Sequence, residues 1–400
     1  MTIMGRKFRA FLAPVLLGAV LCGGTVTAGQ AADMIIGFVE MKRDARYTKR
    51  RSFARYLTQA LGRPFVGAEI ALKEVRFHAA TVGAAFKLQR ITARDGDDLL
   101  AKVRAANDSG VGLFVVDLPA DLLRALSDGS KDRELLLFNI SARNDNLRQE
   151  YCARHVLHMI PSDAMIMDAL AQFLAKRRWR KVLVLAGPSP RDGAISSAFT
   201  RAAKRFGMKI VGRKQFVLSN DPRQRQKNNL TLLTRSGDYD VVFVADGDGE
   251  FARDVPYGIA QPRPVIGAEG LAATAWHWAW DRHGAPQLEK RFEKKAKRPM
   301  RDVDWAAWLS VKAVAEAVQQ QKATDFVALR AHLTSPALTL DGFKGNRLNF
   351  RPWNNQLRQP ILIGTHNRVI TRAPIEGFLH KDNNLDTLGF DRRESSCHLK

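Results

Sequence analysis

The sequence predicts an α/β protein with two lobes, each built on a parallel sheet covered by helices. Three observations carry this. Apolar strand-like runs alternate with helical patterns from residue 34 to about 270, the order that makes βαβ units rather than a sandwich or a bundle. The run VGLFVVDLP (111–119) is continuously apolar, as a strand buried on both faces is. The series breaks and restarts near 155–160, and a 400-residue chain is long enough for two cores.

The elements follow in order. The chain opens with basic MTIMGRKFRA, the short apolar run FLAPVLLGAVL and the small residues of GGTVTAGQAAD. This is the pattern of a secretory signal cleaved after Ala31 or Ala32, and its apolar run is too short to span a bilayer comfortably. MIIGFVEM (34–41) reads as a strand, and the basic stretch KRDARYTKRRSFARYL separates it from a helix in GAEIALKEVRFHAATVG. FKLQRITAR alternates like a half-buried strand, and DGDDLLAKVRAANDSG is a capped helix stopped at Gly110. After VGLFVVDLP come a short helix, ADLLRALSDGS, and the strand LLLFNIS.

The second series begins with HVLHMI. In PSDAMIMDALAQFLAKRRW, Ser162 or Asp163 stands where a helix cap is needed. KVLVLAG, DGAISSAFTRAAKRFG, KIVGRKQFVLS, a helix around 223–236, VVFVADG and PVIGAEG continue the alternation. VDWAAWLSVKAVAEAVQQQ and TDFVALRAHLTS then read as helices, and RLNFRPWNNQLRQPILIGTHNRVI as extended runs about a polar turn. We therefore expect a signal peptide at 1–32, a first lobe from 33–157 and 283–340, a second from 158–282 and 341–372, and a tail at 373–400.

The formal charge is +23 and the sequence pI about 10.3. Such a charge favours anionic partners; export turns it away from nucleic acid and towards acidic proteins, membrane surfaces or carboxylate ligands. Cys22 leaves with the signal, so Cys152 and Cys397 remain in an oxidising compartment. Two readings stand: free buried thiols, or a Cys152–Cys397 disulfide that clips the tail across the lobe junction. No thiolate zinc site, P-loop, HExxH or G-x-S-x-G elbow occurs, and the expectation is a protein that is not an enzyme and carries no cofactor.

The ordered pieces ISARND, HVLHMIPSD, KVLVLAG, RDGAISSAF, VVFVADG, PVIGAEGL, VDWAAWLSVKAVAEA and GFKGNRLNFRPWNNQLRQPILI resemble bacterial periplasmic binding proteins of the leucine/isoleucine/valine class, over most of 34–372. The resemblance implies two Rossmann-like lobes of the type I fold, three crossings between them, and a cleft that closes on a small molecule delivered to an ABC transporter permease. LRQEYCARHVLHMIPSDAMIMDALAQFL, PRPVIGAEGLAATAWHWAW and LDTLGFDRRESSC resemble the subgroup encoded with PQQ-dependent alcohol dehydrogenase systems. That likeness implies a soluble, monomeric periplasmic protein serving quinoprotein alcohol oxidation. The alternative is an interaction protein that no longer transports and docks a quinoprotein dehydrogenase, a cytochrome or a membrane surface.

In amino-acid-binding members of this class, small hydroxyls and backbone N–H groups of two first-lobe loops hold the ligand carboxylate. By that resemblance the loops here are VVDLPAD and NISARND, with Ser141 retaining a hydroxyl. Asp145 stands where a threonine is usual, and Asp117 ends the preceding strand. A carboxylate ligand facing these acids needs a cation, which Arg143 supplies; otherwise Asp117 and Asp145 cap turns and Arg143 faces solvent. In the second lobe GPSPRDG replaces an aromatic turn and adds Arg191, while Glu269 matches the acid that grips a ligand ammonium. Asp246, with Asp248 and Glu250, adds negative charge at a neighbouring strand end. DGDGE is a poor calcium loop, since Phe251 and Tyr257 stand where a glycine and the last acid belong. Trp276 and Trp280 share one face if AATAWHWAWDRHG is helical, packing in the core or stacking on a flat ligand. Ser141, Arg143, Arg191, Glu269, Asp117, Asp246 and Trp276 are the expected ligand contacts.

Overall fold

The computed structural model describes residues 32–48, 61–80 and 83–399. The expected signal segment lies outside the described residues except for Ala32, where β1 begins. The first half runs β1 (Ala32–Met41), α1 (Phe65–Ala80), β2 (Ala84–Ala93), α2 (Gly96–Asp108), β3 (Leu113–Asp117), α3 (Ala120–Ser130), β4 (Leu136–Asn139) and β5 (Val156–His158). Its five strands pair in the order β2-β1-β3-β4-β5, every pair parallel. β3 and β4 are buried at every residue, as their unbroken apolar runs require.

The second half follows as α4 (Asp163–Arg177), β6 (Lys181–Ala186), α5 (Pro190–Arg205), β7 (Lys209–Gln215), α6 (Pro222–Arg225), α7 (Leu230–Thr234), β8 (Val241–Ala245), α8 (Val255–Gly258) and β9 (Val265–Gly267). The strands pair in parallel as β7-β6-β8-β9. Ser162 is the cap of α4, its hydroxyl accepting from Met165 N–H, so the Asp163 carboxylate is left for another partner. Ser189 and Asp192 form a capping box around Pro190 at the start of α5.

The chain then passes through β10 (Ala272–Thr274), α9 (Ala285–Ala296), α10 (Asp302–Gln321), α11 (Phe326–Leu333), β11 (Leu340–Asp341), β12 (Arg347–Leu348), β13 (Ile361–Thr365) and β14 (Arg368–Ala373). Strands β10, β13 and β14 form an antiparallel sheet against α4. Trp276, Trp280, Leu288, Trp305, Trp308, Leu348 and Leu357 rejoin the core under the first sheet. Ile361, Ile363 and Leu388 pack in the core of the second. The tryptophan segment is not a helix: β10 pairs with β13 and the chain turns after it, so strand pairing sets where Trp276 and Trp280 point. Both are buried, and their indole N–H groups donate to Glu289 and to Phe343 O at 3.1 and 3.0 Å.

Where the chain passes between the halves, side chains bind the passages to each other. Arg148 is buried and donates to Ala142 O, Asn144 O and Ile160 O and to the Gln356 side chain at 2.8–3.0 Å. Gln356 in turn donates to His158 O and Ile160 O, and Gln359 to Met159 O. Lys344 is wholly buried; it donates to Gln359 Oε1 and Pro360 O and lies 3.7 Å from the Trp305 ring centre. These acceptors and the ring face satisfy its ammonium, although burial pushes its pKa well down.

His158 accepts from Asn139 Nδ2 at 2.9 Å, and its Nε2–H donates to Leu147 O at 3.1 Å. Burial, with Arg148 beside it, holds its pKa well below the usual value, so the folded chain keeps it neutral. The unfolded chain protonates it as pH falls through about 6.5, and stability should therefore drop below that pH by roughly 1.4 kcal/mol per unit. Urea midpoints at pH 7, 6 and 5 measure the slope. His158→Gln should flatten it, leaving what His155, His277 and His332 contribute, whose pKa values burial also lowers. An identical slope in the variant excludes His158 as the source.

The tail is docked. Ile375 N–H donates to Gln172 Oε1, and Gly389 N–H to Asp168, both on α4. Arg351 pairs with Asp386 at 2.8 Å and donates to Leu385 O and Leu388 O, all within the interior. Ser396 N–H donates to Gln149 Oε1 at 2.7 Å, and Cys397 is bonded to Cys152 with Cα atoms 5.7 Å apart. Cys152 lies between β4 and β5, so the tail starts on the second half and ends covalently on the first. Of the two readings of these cysteines, the structure shows the bonded one.

Candidate functional site

In each sheet the strand order reverses once, at β1/β3 and at β6/β8, and open α/β sheets bind ligands beyond the strand ends there. After β1 the chain turns through Asp44, Arg46 and Tyr47. Asp44 accepts the backbone N–H of Arg46 and, through both oxygens, its guanidinium. The same Arg46 reaches Asp117 at the end of β3, Nη2 to Oδ1 at 3.1 Å. Asp117 is completely buried, with the Tyr47 and Ser141 hydroxyls beside it. Burial pushes its pKa up and Arg46 opposes that rise. Ser141 donates its hydroxyl to Leu118 O at 3.1 Å. Asp117 and Ser141 thus meet, as the sequence suggested, but in a network whose cation is Arg46.

The two arginines expected to meet an anion are engaged elsewhere. Arg143 is ion-paired with Asp302 and donates to Pro161 O, joining two passages between the halves. Arg191 pairs with the carboxylate that Ser162 spared, Asp163 at the start of α4. Asp145 accepts from Ala164 N–H at 3.0 Å, and burial raises its pKa. Asp246 turns back on its own loop, accepting from the N–H groups of residues 248, 249, 251 and 252 at 2.9–3.2 Å. Burial raises its pKa and those bonds lower it. Among the described residues no group of three His, Cys, Asp or Glu side chains is arranged to hold a metal. Trp276 is a core residue whose backbone N–H donates to Asp302 Oδ1 at 2.7 Å.

Of the expected residues, Glu269 lines a cavity shared by the halves. It stands just beyond β9, in a cavity of about 490 Å³ with Leu61, Thr274, Trp278, Pro299 and Arg301. Arg301 immediately precedes α10. Its Nη2 donates to Gly62 O at 2.9 Å, but its Nε is buried without an acceptor. Asp304 is 3.8 Å from that nitrogen, and its oxygens already accept from Arg298 and from Arg301 N–H. Burial, ahead of any charge effect, lowers the Arg301 pKa. Thr274 Oγ1 is likewise buried with no partner. Glu269 makes no ion pair among the described residues. Trp278 is 42% exposed, and its Nε1–H donates to His366 O at 3.0 Å, which fixes the ring. A small apolar lining with a cation and an acid at separate points suits one small polar ligand. A larger cavity, about 730 Å³, lies between Trp280–Arg282 and β14, away from the strand ends of both parallel sheets.

Arg301, Thr274 and Trp278 escape sequence reading. Arg301 is one basic residue at the end of the run EKRFEKKAKRPMR, and only the saturation of Asp304 by Arg298 singles it out. Trp278 shares its tripeptide signal with the buried Trp276.

No family model matches the sequence, and no curated protein does. Solved structures do match in fold. The leucine-, isoleucine-, valine-, threonine- and alanine-binding protein of Brucella ovis in its closed conformation aligns with TM-score 0.71 and 13% identity, over 92% of this chain and 100% of that one. A solute-binding protein of an ABC transporter from R. palustris in complex with benzoate gives 0.64 and 12%, over 92% and 100%. An ABC transporter substrate-binding protein of Desulfitobacterium hafniense in complex with Leu gives 0.60 and 16%, over 84% and 99%. The fold is that of the type I periplasmic binding proteins.

Proposed function

We propose that this protein is the solute-binding component of an ABC transporter, exported to the periplasm by its leading segment. It takes up one small polar or anionic ligand by closing its two lobes, and the closed form is what a permease recognises. The observation that supports it best is the cavity between the halves, where Glu269 comes from one side and Arg301 from the other. Two structures of similar fold are complexes with leucine and with benzoate. The motifs shared with the subgroup of PQQ-dependent alcohol dehydrogenase systems support a place beside quinoprotein alcohol oxidation. Native mass spectrometry of the protein purified from periplasm is the test, with a thermal-shift screen that includes PQQ. One stoichiometric small molecule is the expected result; a blank in both experiments removes the reading.

A second reading, a docking protein for an acidic dehydrogenase, cytochrome or membrane surface, has one observation in its favour. Lys290, Lys294 and Lys297 at α9, and Lys73 and Arg76 on α1, are exposed and make no ion pair among the described residues. Association through them weakens steeply with salt. Salt-insensitive capture of permease components alone excludes it.

A further inference from the structure

We propose, resting on the solute-binding reading, that the ligand of the Arg301–Glu269 cavity is an aromatic carboxylate with a hydrogen-bond donor at the far end of its ring. The geometry selects each part of that molecule. Arg301 presents a guanidinium whose nearest acid, Asp304, is saturated by Arg298, and one of its N–H groups is buried without an acceptor. A ligand carboxylate supplies the missing charge and acceptor in one group. Arg298, which also lines the cavity, is spent on Asp304 and cannot compete for the anion.

The opposite requirement is set by Glu269 and Thr274. Glu269 accepts no hydrogen bond and Thr274 Oγ1 is a buried hydroxyl with no partner, both among the described residues. An acceptor and a hydroxyl left over in one cavity are matched by an amine or a hydroxyl on the ligand. Arg301 and Glu269 border the same space yet make no ion pair among the described residues, so a ligand that meets both bridges them. An α-amino acid carries its ammonium and carboxylate on one carbon and brings no flat face to the Trp278 indole. A para-substituted ring separates the two groups and is flat.

A flat apolar body also fits what lies between. Leu61, Ala268 and Pro299 are apolar, and the Trp278 ring is oriented by its bond to His366 O. His277 stacks on that indole, ring centres 6.0 Å apart, so a ligand ring extends an aromatic row that already exists.

The experiment is a ligand series on the full-length processed protein, by titration calorimetry and by quenching of tryptophan emission. 4-Aminobenzoate and 4-hydroxybenzoate should bind. Benzoate, without the far donor, should be at least tenfold weaker. 4-Aminobenzamide, without the carboxylate, and leucine should not bind in the same range. Arg301→Gln should lose at least tenfold for 4-aminobenzoate. Glu269→Gln should lose affinity for 4-aminobenzoate but not for benzoate. Trp278→Phe should remove most of the quenching. The wild-type series decides even if a variant fails to fold: leucine or 4-aminobenzamide binding as tightly as 4-aminobenzoate overturns the proposal. If none of these probes binds while native mass spectrometry finds another stoichiometric small molecule, this inference fails and the solute-binding reading stands. If neither experiment finds a ligand, both fail together.

Discussion

Arg148→Met should destabilise the protein by about 3–5 kcal/mol, the cost expected when a buried cation is removed from the acids and acceptors arranged around it. The methionine fills similar space, so the loss is of hydrogen bonds rather than of packing. Four acceptors lose a donor at once: the carbonyls of Ala142, Asn144 and Ile160 keep a second one, from Asn139 Nδ2, Leu147 N–H and Gln356 Nε2, while the side-chain oxygen of Gln356 keeps none among the described residues. Arg148→Lys should recover little, because one ammonium cannot face four acceptors in different directions. Burial already pulls the Arg148 pKa down to about 9, with Asp145 and Asp163 opposing, so the site holds its charge at neutral pH. Urea unfolding of the three proteins at pH 7 checks this. A loss below about 1 kcal/mol in Arg148→Met would mean that the passages between the halves are held by their packing alone.

The double variant Cys152→Ser/Cys397→Ser should lose about 3–5 kcal/mol, since the bond closes a loop between positions 245 apart in sequence. Oxidised wild type, reduced wild type and the variant should unfold at different, similar and similar urea concentrations respectively. The tail should remain docked in the variant near neutral pH, because Arg351–Asp386 and Asp168–Gly389 do not depend on the disulfide. Protease should therefore cut first after residue 391 and not at 373. Coincident midpoints for all three samples would show that the covalent clip adds nothing to the non-covalent docking.

The parallel sheets were legible because buried strands leave unbroken apolar runs. Val241–Ala245 and Leu113–Asp117 are buried throughout, and no local alternative competes with them. Ser162, Ser189 and Gly110 were legible for a similar reason: caps and stops act within a few residues. The cleft was legible only as a region. Ser141 and Asp117 do adjoin, but which cation meets Asp117 depends on Arg46 folding back from β1. Arg143 was readable as an arginine in a loop; its partner Asp302 is 159 residues away and is chosen by the passages between the halves. Asp246 had the opposite fate, being consumed by its own turn. The cysteine pair was the one long-range contact open to arithmetic, since only two cysteines lie beyond the expected leader.

The way the first core is assembled has a consequence for the order in which the chain acquires structure during synthesis. Strands β1 to β5 are made first, but Trp305, Trp308 and Val311 of α10, which cover one face of their sheet, are made some 150 residues after the last of them. The second sheet is built the same way: one face is covered by residues between 183 and 268, and the other waits for Ile361, Ile363, Ala373 and Leu388. Each sheet can therefore cover one face early, the first with residues between 39 and 156, while its other face stays apolar and open until the C-terminal third has been made. Such a chain is safest when a carrier keeps it extended until α10 has emerged, and its N-terminal portion alone is a fragment without a lid for its own core.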